Sequence, residues 1–116
     1  MRRIVAVIAL GAAAVGCSTI DPSPKLKAAT SAIDAAKAAG AANVPGASER
    51  LAQAEKYLAT AQDLIKKGDP AAAVNQLSLA SAAADAAKMT ATEATNIAKA
   101  KELDVQIADL KAKLGK

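Results

Sequence analysis

The feature that most limits the fold is the stretch from Ala71 to Leu114, which contains neither glycine nor proline. The pair Asp69-Pro70 precedes it and suits an N-cap followed by the first position of a helix. This pattern predicts one helix from Pro70 to about Leu114, on the order of 65 Å long at 1.5 Å per residue. Three β-branched threonines between positions 90 and 95 weaken it, so a bend or fraying is expected there and continuity stays open.

Two shorter helical patterns precede the long one. The first runs from about Pro24 to Ala39, with Ser23 as its expected N-cap, and the second runs from about Pro45 or Ala47 to Lys67. In all three patterns apolar residues recur at steps of three and four, and in the first two larger side chains alternate with small ones, as close helix pairing requires. These seams comprise Leu26, Ala29, Ile33, Ala36 and Gly40 in the first pattern, Leu51, Ala54, Leu58, Ala61 and Ile65 in the second, and Ala73, Leu77, Ala80, Ala84 and Ala87 in the third.

The turns and the composition indicate how these helices pack. Gly40 and Gly68 are expected to end the first and second helices. Because the third helix starts directly after Gly68, the second and third helices are expected to form a tight hairpin. Tyr57 is the only aromatic residue and alanine dominates the 53% hydrophobic fraction, so each buried position removes little apolar area from water. Thin helix-on-helix packing suits such a chain. The prediction is an all-α domain, an antiparallel helical hairpin or three-helix bundle with a long C-terminal helix.

The N-terminus has the pattern of a lipoprotein signal. Arg2 and Arg3 precede an apolar run that ends in Ala14-Val15-Gly16, and a lone cysteine, Cys17, follows directly. The run has about 13 residues, short of the roughly 20 that a membrane-spanning helix needs. We therefore expect residues 1–16 to be a signal peptide and Cys17 to be the first mature residue, lipidated on its thiol and acylated on its amino group. A cysteine without lipid beside the cleavage site is the alternative.

These signals also predict a location and domain boundaries. Ser18 follows the cysteine and lacks the acidic character that often retains such proteins in the inner membrane, so the expected location is the periplasmic face of the outer membrane. Residues 17–23 contain a proline that forces extended backbone and are expected to form a lipidated tether. Residues 24–116 then form an Ala-rich helical domain, held at the membrane by lipid.

The charged residues give no indication of catalysis. Without the two arginines of the signal segment, 13 basic residues face 11 acidic ones, which lacks the concentrated basic face of nucleic-acid binding. Asp63 with Lys67, and Asp109 with Lys113, have the i,i+4 spacing of surface pairs on a helix. The chain has no histidine, no second cysteine and no glycine-rich phosphate loop. We therefore predict no enzyme, no metal, no cofactor and no nucleic-acid partner.

Besides the lipoprotein signal, five segments of the chain together form a recognisable pattern. They are Ile33-Asp34-Ala35-Ala36-Lys37, the turn from Gly40-Ala41 to Pro45, the seam from Leu51 to Leu58, Gly68-Asp69, and Ala84-Asp85-Ala86. Together they resemble a family of small Ala-rich envelope lipoproteins, a domain of unknown function, over roughly residues 17 to 100. The resemblance implies a lipid anchor, and some members of the family are joined to a peptidoglycan-binding domain. It transfers no catalytic residue to this chain.

A second resemblance concerns the two ends of the chain. The lipidated N-terminus, the helical body and the C-terminal Lys116 are similar to those of the murein lipoproteins. In that family the terminal lysine is the covalent link to peptidoglycan, which implies the same role for Lys116. The Ala-rich seam, the greater length and Gly115 depart from the family pattern.

The end of the long helix carries the clearest candidate for an interaction surface. Leu103, Ile107, Leu110 and Leu114 repeat at steps of four, three and four, typical of a short coiled-coil seam. If they project beyond the other helices, one chain cannot cover them. We therefore expect a structural or protein-interaction module that self-associates or binds a protein through roughly residues 97 to 114. The alternative is a covalent peptidoglycan tether through Lys116.

Overall fold

The computed structural model of the chain describes residues 20–115, which form three α-helices joined by short turns. α1 spans Ser23–Ala38, a turn of 3₁₀ helix spans Ala41–Asn43, α2 spans Ala47–Lys66 and α3 spans Pro70–Leu114. These residues contain no β-strand, so the predicted all-α class is confirmed. Because all three helices pack on one another, the arrangement is a three-helix bundle with a long C-terminal helix.

The start of α1 differs from the prediction. Ser23 lies inside the helix and Pro22 is the N-cap, so the expectation that Ser23 caps the helix is wrong. Asp21 supplies the missing acceptor, because its Oδ1 accepts a hydrogen bond of 2.9 Å from the backbone N–H of Ser23. This bond to the ionised carboxylate also lowers the pKa of Asp21. An aspartate two residues ahead therefore performs the role that the sequence pattern assigned to the serine.

The two interhelical turns depend on glycines in the left-handed region. Gly40 follows α1 with φ 84° and Gly68 follows α2 with φ 82°, as predicted for both. At the second turn the N–H of Gly68 donates to the carbonyl of Ile65 and the N–H of Asp69 donates to that of Leu64. Asp69 Oδ1 then accepts from the N–H of Ala72 at 3.0 Å, which confirms it as the N-cap of α3. The tight hairpin between α2 and α3 follows from these bonds.

The core of the bundle consists almost entirely of alanine. Eleven of the fourteen buried apolar residues among those described are alanines, so the helices approach closely and little apolar area is buried per residue. The fourteen are Ala29, Ile33, Ala36, Ala41, Ala47, Leu51, Ala54, Ala61, Ala73, Leu77, Ala80, Ala84, Ala87 and Ala91. The predicted seams are confirmed at most of their positions, whereas Leu26, Leu58 and Ile65 lie half-buried at the edge.

Two clusters of buried residues establish the directions of the helices. In the first, Ala29 of α1 and Ala61 of α2 pack with Leu77 and its neighbours near the start of α3. In the second, Ala36 of α1 packs with the first residues of α2 and with α3 farther along, around Ala87. α1 and α3 therefore run in the same direction, and α2 runs antiparallel to both.

Ion pairs lie on the outside of the bundle. Lys37 of α1 and Glu55 of α2 join two helices at 2.6 Å, a contact that the linear sequence did not indicate. The hydrogen bond to Glu55, followed by its charge, raises the pKa of Lys37. Because the folded-state pKa is raised, the contribution of this lysine is present at neutral pH and is lost only as the pH rises through the raised value. The pair of Asp63 with Lys67 forms as predicted, at 2.8 Å.

α3 continues through the threonine cluster without interruption. The hydroxyls of Thr90 and Thr95 donate hydrogen bonds of 3.0 Å to the carbonyls of Ala86 and Ala91, one turn earlier. This bonding satisfies the hydroxyls inside the helix, and the buried Ala91 holds the same stretch against the bundle. The helix is therefore continuous from Pro70 to Leu114, and the fraying expected at these threonines does not occur.

Candidate functional site

The predicted site residues fall into two groups. Cys17, the predicted lipidation site, and Lys116, the predicted peptidoglycan link, lie outside the described residues 20–115. The four seam residues Leu103, Ile107, Leu110 and Leu114 all lie in α3. Of the predicted sites, the structure therefore describes the four seam residues at the end of the long helix.

The last part of α3 extends past the other two helices. Ala91 is its last buried residue and Ala94 is half-buried, whereas every described residue from Thr95 to Gly115 is exposed. We call residues 95–114 the distal segment; its 20 residues extend about 30 Å beyond the bundle at 1.5 Å per residue. Neither α1 nor α2 covers this length of helix.

Four of the six exposed large apolar side chains of the distal segment lie along one line, and the other two are Ile97 and Val105. We call Leu103, Ile107, Leu110 and Leu114 the distal seam; they are exposed by 56%, 48%, 56% and 85% respectively. Isolated exposed leucines are ordinary in proteins, but four in consecutive heptad positions form a continuous apolar stripe. Within residues 20–115 nothing packs on this stripe, so it has the geometry of an interface whose partner is another molecule.

The distal seam does not continue the face of α3 that packs in the bundle. At 100° per residue, the seam points about 130° around the helix from the alanines that face α1 and α2. Counting back from Leu103 in the same steps of three and four reaches Ala100, Asn96, Glu93 and Met89, and Met89 is 72% exposed. The seam thus lies on the outer side of the molecule, and the bundle does not obstruct a partner that approaches it.

The sequence interpretation missed this change of face. It identified the core alanines and the distal leucines separately, because each set has the same local spacing. Extending the steps of three and four from Ala91 toward the C-terminus would have shown that they reach Ala94 and Ala98 and miss Leu103. The core alanines and the distal leucines share the same spacing, but the two series are out of step along the helix. That offset is the feature of the sequence that indicates the change of face.

Two shallow depressions lie on the surface of the described residues. The larger, of about 870 Å³, follows the outer face of α3 near Met89, and its described lining residues all belong to that helix. Because a single helix lines this depression, it has no opposite wall and is not an enclosed ligand site. It is part of the same exposed face of α3 that bears the distal seam. The smaller, of about 350 Å³, lies between α1 and α2 and is lined by Leu26, Gln62, Ile65 and Lys66.

Charged side chains flank the distal seam. Asp109 and Lys113 form the predicted i,i+4 ion pair at 2.8 Å. Lys99 and Asp104 make no ion pair with any residue in the described part of the chain. The segment therefore has one ion pair near its end, and its other charges, of both signs, have no ion-pair partner among the described residues.

Two kinds of feature are missing from residues 20–115. These residues contain no group of three or more His, Cys, Asp or Glu residues placed to hold a metal ion. None of the helices formed by these residues combines the length and the apolar character that crossing a membrane requires. Tyr57, the only aromatic side chain, is half-buried against the cluster around Leu77, which is a packing position.

No protein family, no curated protein and no solved structure gives a significant match to this chain.

Proposed function

We propose that this chain is a lipid-anchored lipoprotein of the bacterial envelope, on the periplasmic face of the outer membrane, and that it acts as a non-catalytic structural or protein-interaction module. The observation that carries the interaction role is the exposure of all four residues of the distal seam along one helical face. The lipid anchor is supported by the sequence around Cys17 and by the resemblance to small Ala-rich envelope lipoproteins.

The direction of the helices favours this combination of anchor and interface. α1 begins at Ser23, six positions after Cys17, and α3 begins at the same end of the bundle. Because α3 is 45 residues long, its tip lies about 65 Å from that end at 1.5 Å per residue. An anchor at Cys17 would leave the distal seam at the opposite end of the molecule, away from the membrane surface and accessible to a protein partner.

Crosslinking in intact cells tests the interaction role. We expect a photo-crosslinking residue placed at position 110 of the full-length chain to give protein adducts, whereas the same residue at position 112 does not, because Ala112 lies on the opposite side of α3 from the seam. Adding Ile107→Asp should remove the adducts, since a charge in a desolvated seam costs several kcal/mol. Equal adducts at positions 110 and 112, or none at either, would contradict the proposal.

A covalent peptidoglycan tether through Lys116 is the second candidate. Leu114, the last helical residue, is 85% exposed at the tip of α3, so the chain leaves the helix at the end farthest from the bundle. If the tether exists, purified and extensively washed sacculi should carry the protein, and deletion of Lys116 should release it completely. The matched control is Lys113→Ala, which removes a nearby amine and should have no effect. Release by neither variant, or the absence of protein from sacculi, would eliminate this candidate.

A further inference from the structure

We propose that the molecule that covers the distal seam is a second copy of this chain, bound as a parallel, in-register, two-stranded coiled coil. This inference rests on the proposed role of the seam as an interaction surface and identifies the partner.

The identities of the seam residues favour two parallel strands. In heptad notation Ala100, Ile107 and Leu114 occupy a positions, and Leu103 and Leu110 occupy d positions. β-branched isoleucine at a with leucine at d is the combination that favours a parallel dimer over higher oligomers. The central layers of the seam, Leu103, Ile107 and Leu110, follow this rule.

The polar residues at the start of the seam set its register. Asn96 occupies the d position before Ala100. In a parallel, in-register pair it meets Asn96 of the second copy, and two amides can donate to and accept from each other. Glu93, one step earlier, would meet its own copy as a like charge. The coiled coil therefore begins at Asn96, where α3 has already left the bundle, and includes residues 96–114.

The flanking charges distinguish the two directions. Lys99 occupies a g position and Asp104 an e position of the heptad. In a parallel pair each g residue faces the e residue five positions later on the other helix, so Lys99 lies beside Asp104 of the second copy on both sides of the seam. Neither residue has an ion-pair partner in the described part of the chain, so both charges are available to the second copy. The antiparallel register that overlaps residues 96–114 instead brings Asp104 near Asp104 and Lys99 near Lys113, which are like charges. An antiparallel register over the distal seam alone brings Asp104 near Lys111 but leaves Lys99 outside the overlap. The parallel arrangement is therefore the one that pairs both Lys99 and Asp104 with opposite charges.

Parallel pairing also suits two chains held on one membrane. Both copies would have their N-termini at the same end, so anchoring restricts them to the orientation that the seam requires and raises their effective concentration. The seam contains fewer than three heptads, and a short coiled coil of this kind associates weakly in dilute solution. We therefore expect the dimer to be more complete in the membrane than in a soluble preparation.

Disulfide crosslinking of the full-length, lipidated chain tests the arrangement. With Leu110→Cys we expect a disulfide-linked homodimer in isolated membranes after mild oxidation, because in register residue 110 faces its own copy. Ala112→Cys, at the outermost position of the same turn, is the control and should stay monomeric. In an antiparallel pair over residues 96–114 Leu103 faces Ile107, and in one over the distal seam alone Leu110 faces Ile107. A mixture of Ile107→Cys chains with Leu103→Cys or Leu110→Cys chains would then give the mixed crosslink, while Leu110→Cys alone would not crosslink.

The outcomes separate the inference from the proposed function. A Leu110→Cys homodimer supports the second copy, whereas a crosslink from residue 107 to residue 103 or 110 without that homodimer overturns the parallel arrangement. A position-110 adduct to a different protein, without a homodimer, overturns the second copy and leaves the interaction role intact. No adduct of any kind overturns both.

A charge exchange gives an independent test. Sedimentation of the mature chain carrying Cys17→Ser should show that Lys99→Glu weakens the dimer about tenfold, because two attractive pairs become repulsive. Asp104→Lys added to Lys99→Glu should restore the original affinity. No weakening by Lys99→Glu, or failure of the double variant to recover the original affinity, would contradict the Lys99-to-Asp104 pairing.

Discussion

Replacing Leu77 with alanine should lower the free energy of unfolding by about 3 kcal/mol. Leu77 is the only large side chain among the described residues that is completely buried. The other buried members of its cluster are all alanines, Ala29, Ala61, Ala73 and Ala80. Methyl groups have no rotamers with which to fill the space that the leucine leaves, so the cavity should stay open and the loss should lie well inside the range for leucine truncations.

The measurement is chemical denaturation followed by helical circular dichroism. The mature chain should carry Cys17→Ser together with Ile107→Asp and Leu110→Asp, so that association through the distal seam does not contribute to stability. The matched control is Leu79→Ala, two residues along the same helix, where the leucine is 46% exposed and the loss should stay within about 1 kcal/mol. Leu58, half-buried between the two clusters, should give an intermediate value. A loss below about 0.5 kcal/mol at Leu77 would show that the bundle packs differently.

The prediction at Leu77 depends on a feature of the fold that the sequence indicated correctly. Spacing at steps of three and four was sufficient to identify the core face of each helix, because a helix has one period and only one face can be buried in a thin bundle. The turns were equally predictable. Gly68 and Asp69 satisfy the backbone groups at the end of α2 and the start of α3, and few other residues can do both.

The features that could not be predicted depend on contacts between segments. Lys37 and Glu55 lie 18 positions apart, and only the packing of α1 on α2 brings them within 2.6 Å. The weak helix propensity of Thr90 and Thr95 suggested an interruption, but their hydroxyl bonds and the buried Ala91 keep α3 continuous. Local propensity is a weak prior that packing routinely overrides.

The candidate site shows the same division. The residues of the distal seam were identified from their spacing, but their exposure depends on where α1 and α2 end, which the spacing of α3 alone does not reveal. The change of face between Ala91 and Leu103 has a physical meaning. A seam in phase with the core would extend the bundle along its own axis, whereas a seam on the outer side allows a second molecule to lie against α3 without displacing α1 or α2.

The second large effect concerns the anchor. Cys17→Ser should abolish acylation and leave the signal segment attached, because lipoprotein processing requires the cysteine thiol to carry the diacylglyceryl group before cleavage. The protein would then lose the two or more acyl chains that stable anchoring requires, at about 0.8 kcal/mol for each buried methylene. The helical bundle itself should be unchanged, since it begins at Ser23.

Mass spectrometry of the N-terminus decides this prediction. The wild-type protein should begin at an acylated Cys17, and the Cys17→Ser protein should retain residues 1–16 without any lipid mass. Ser18→Asp is the matched variant, because it keeps the cysteine and should therefore keep the acyl chains while shifting the protein toward the inner membrane on fractionation. An unmodified wild-type N-terminus that begins at another residue would eliminate the lipid anchor, and with it the effect of anchoring on pairing. The distal seam would then have to associate at the concentrations of a freely diffusing protein, for which fewer than three heptads provide little affinity.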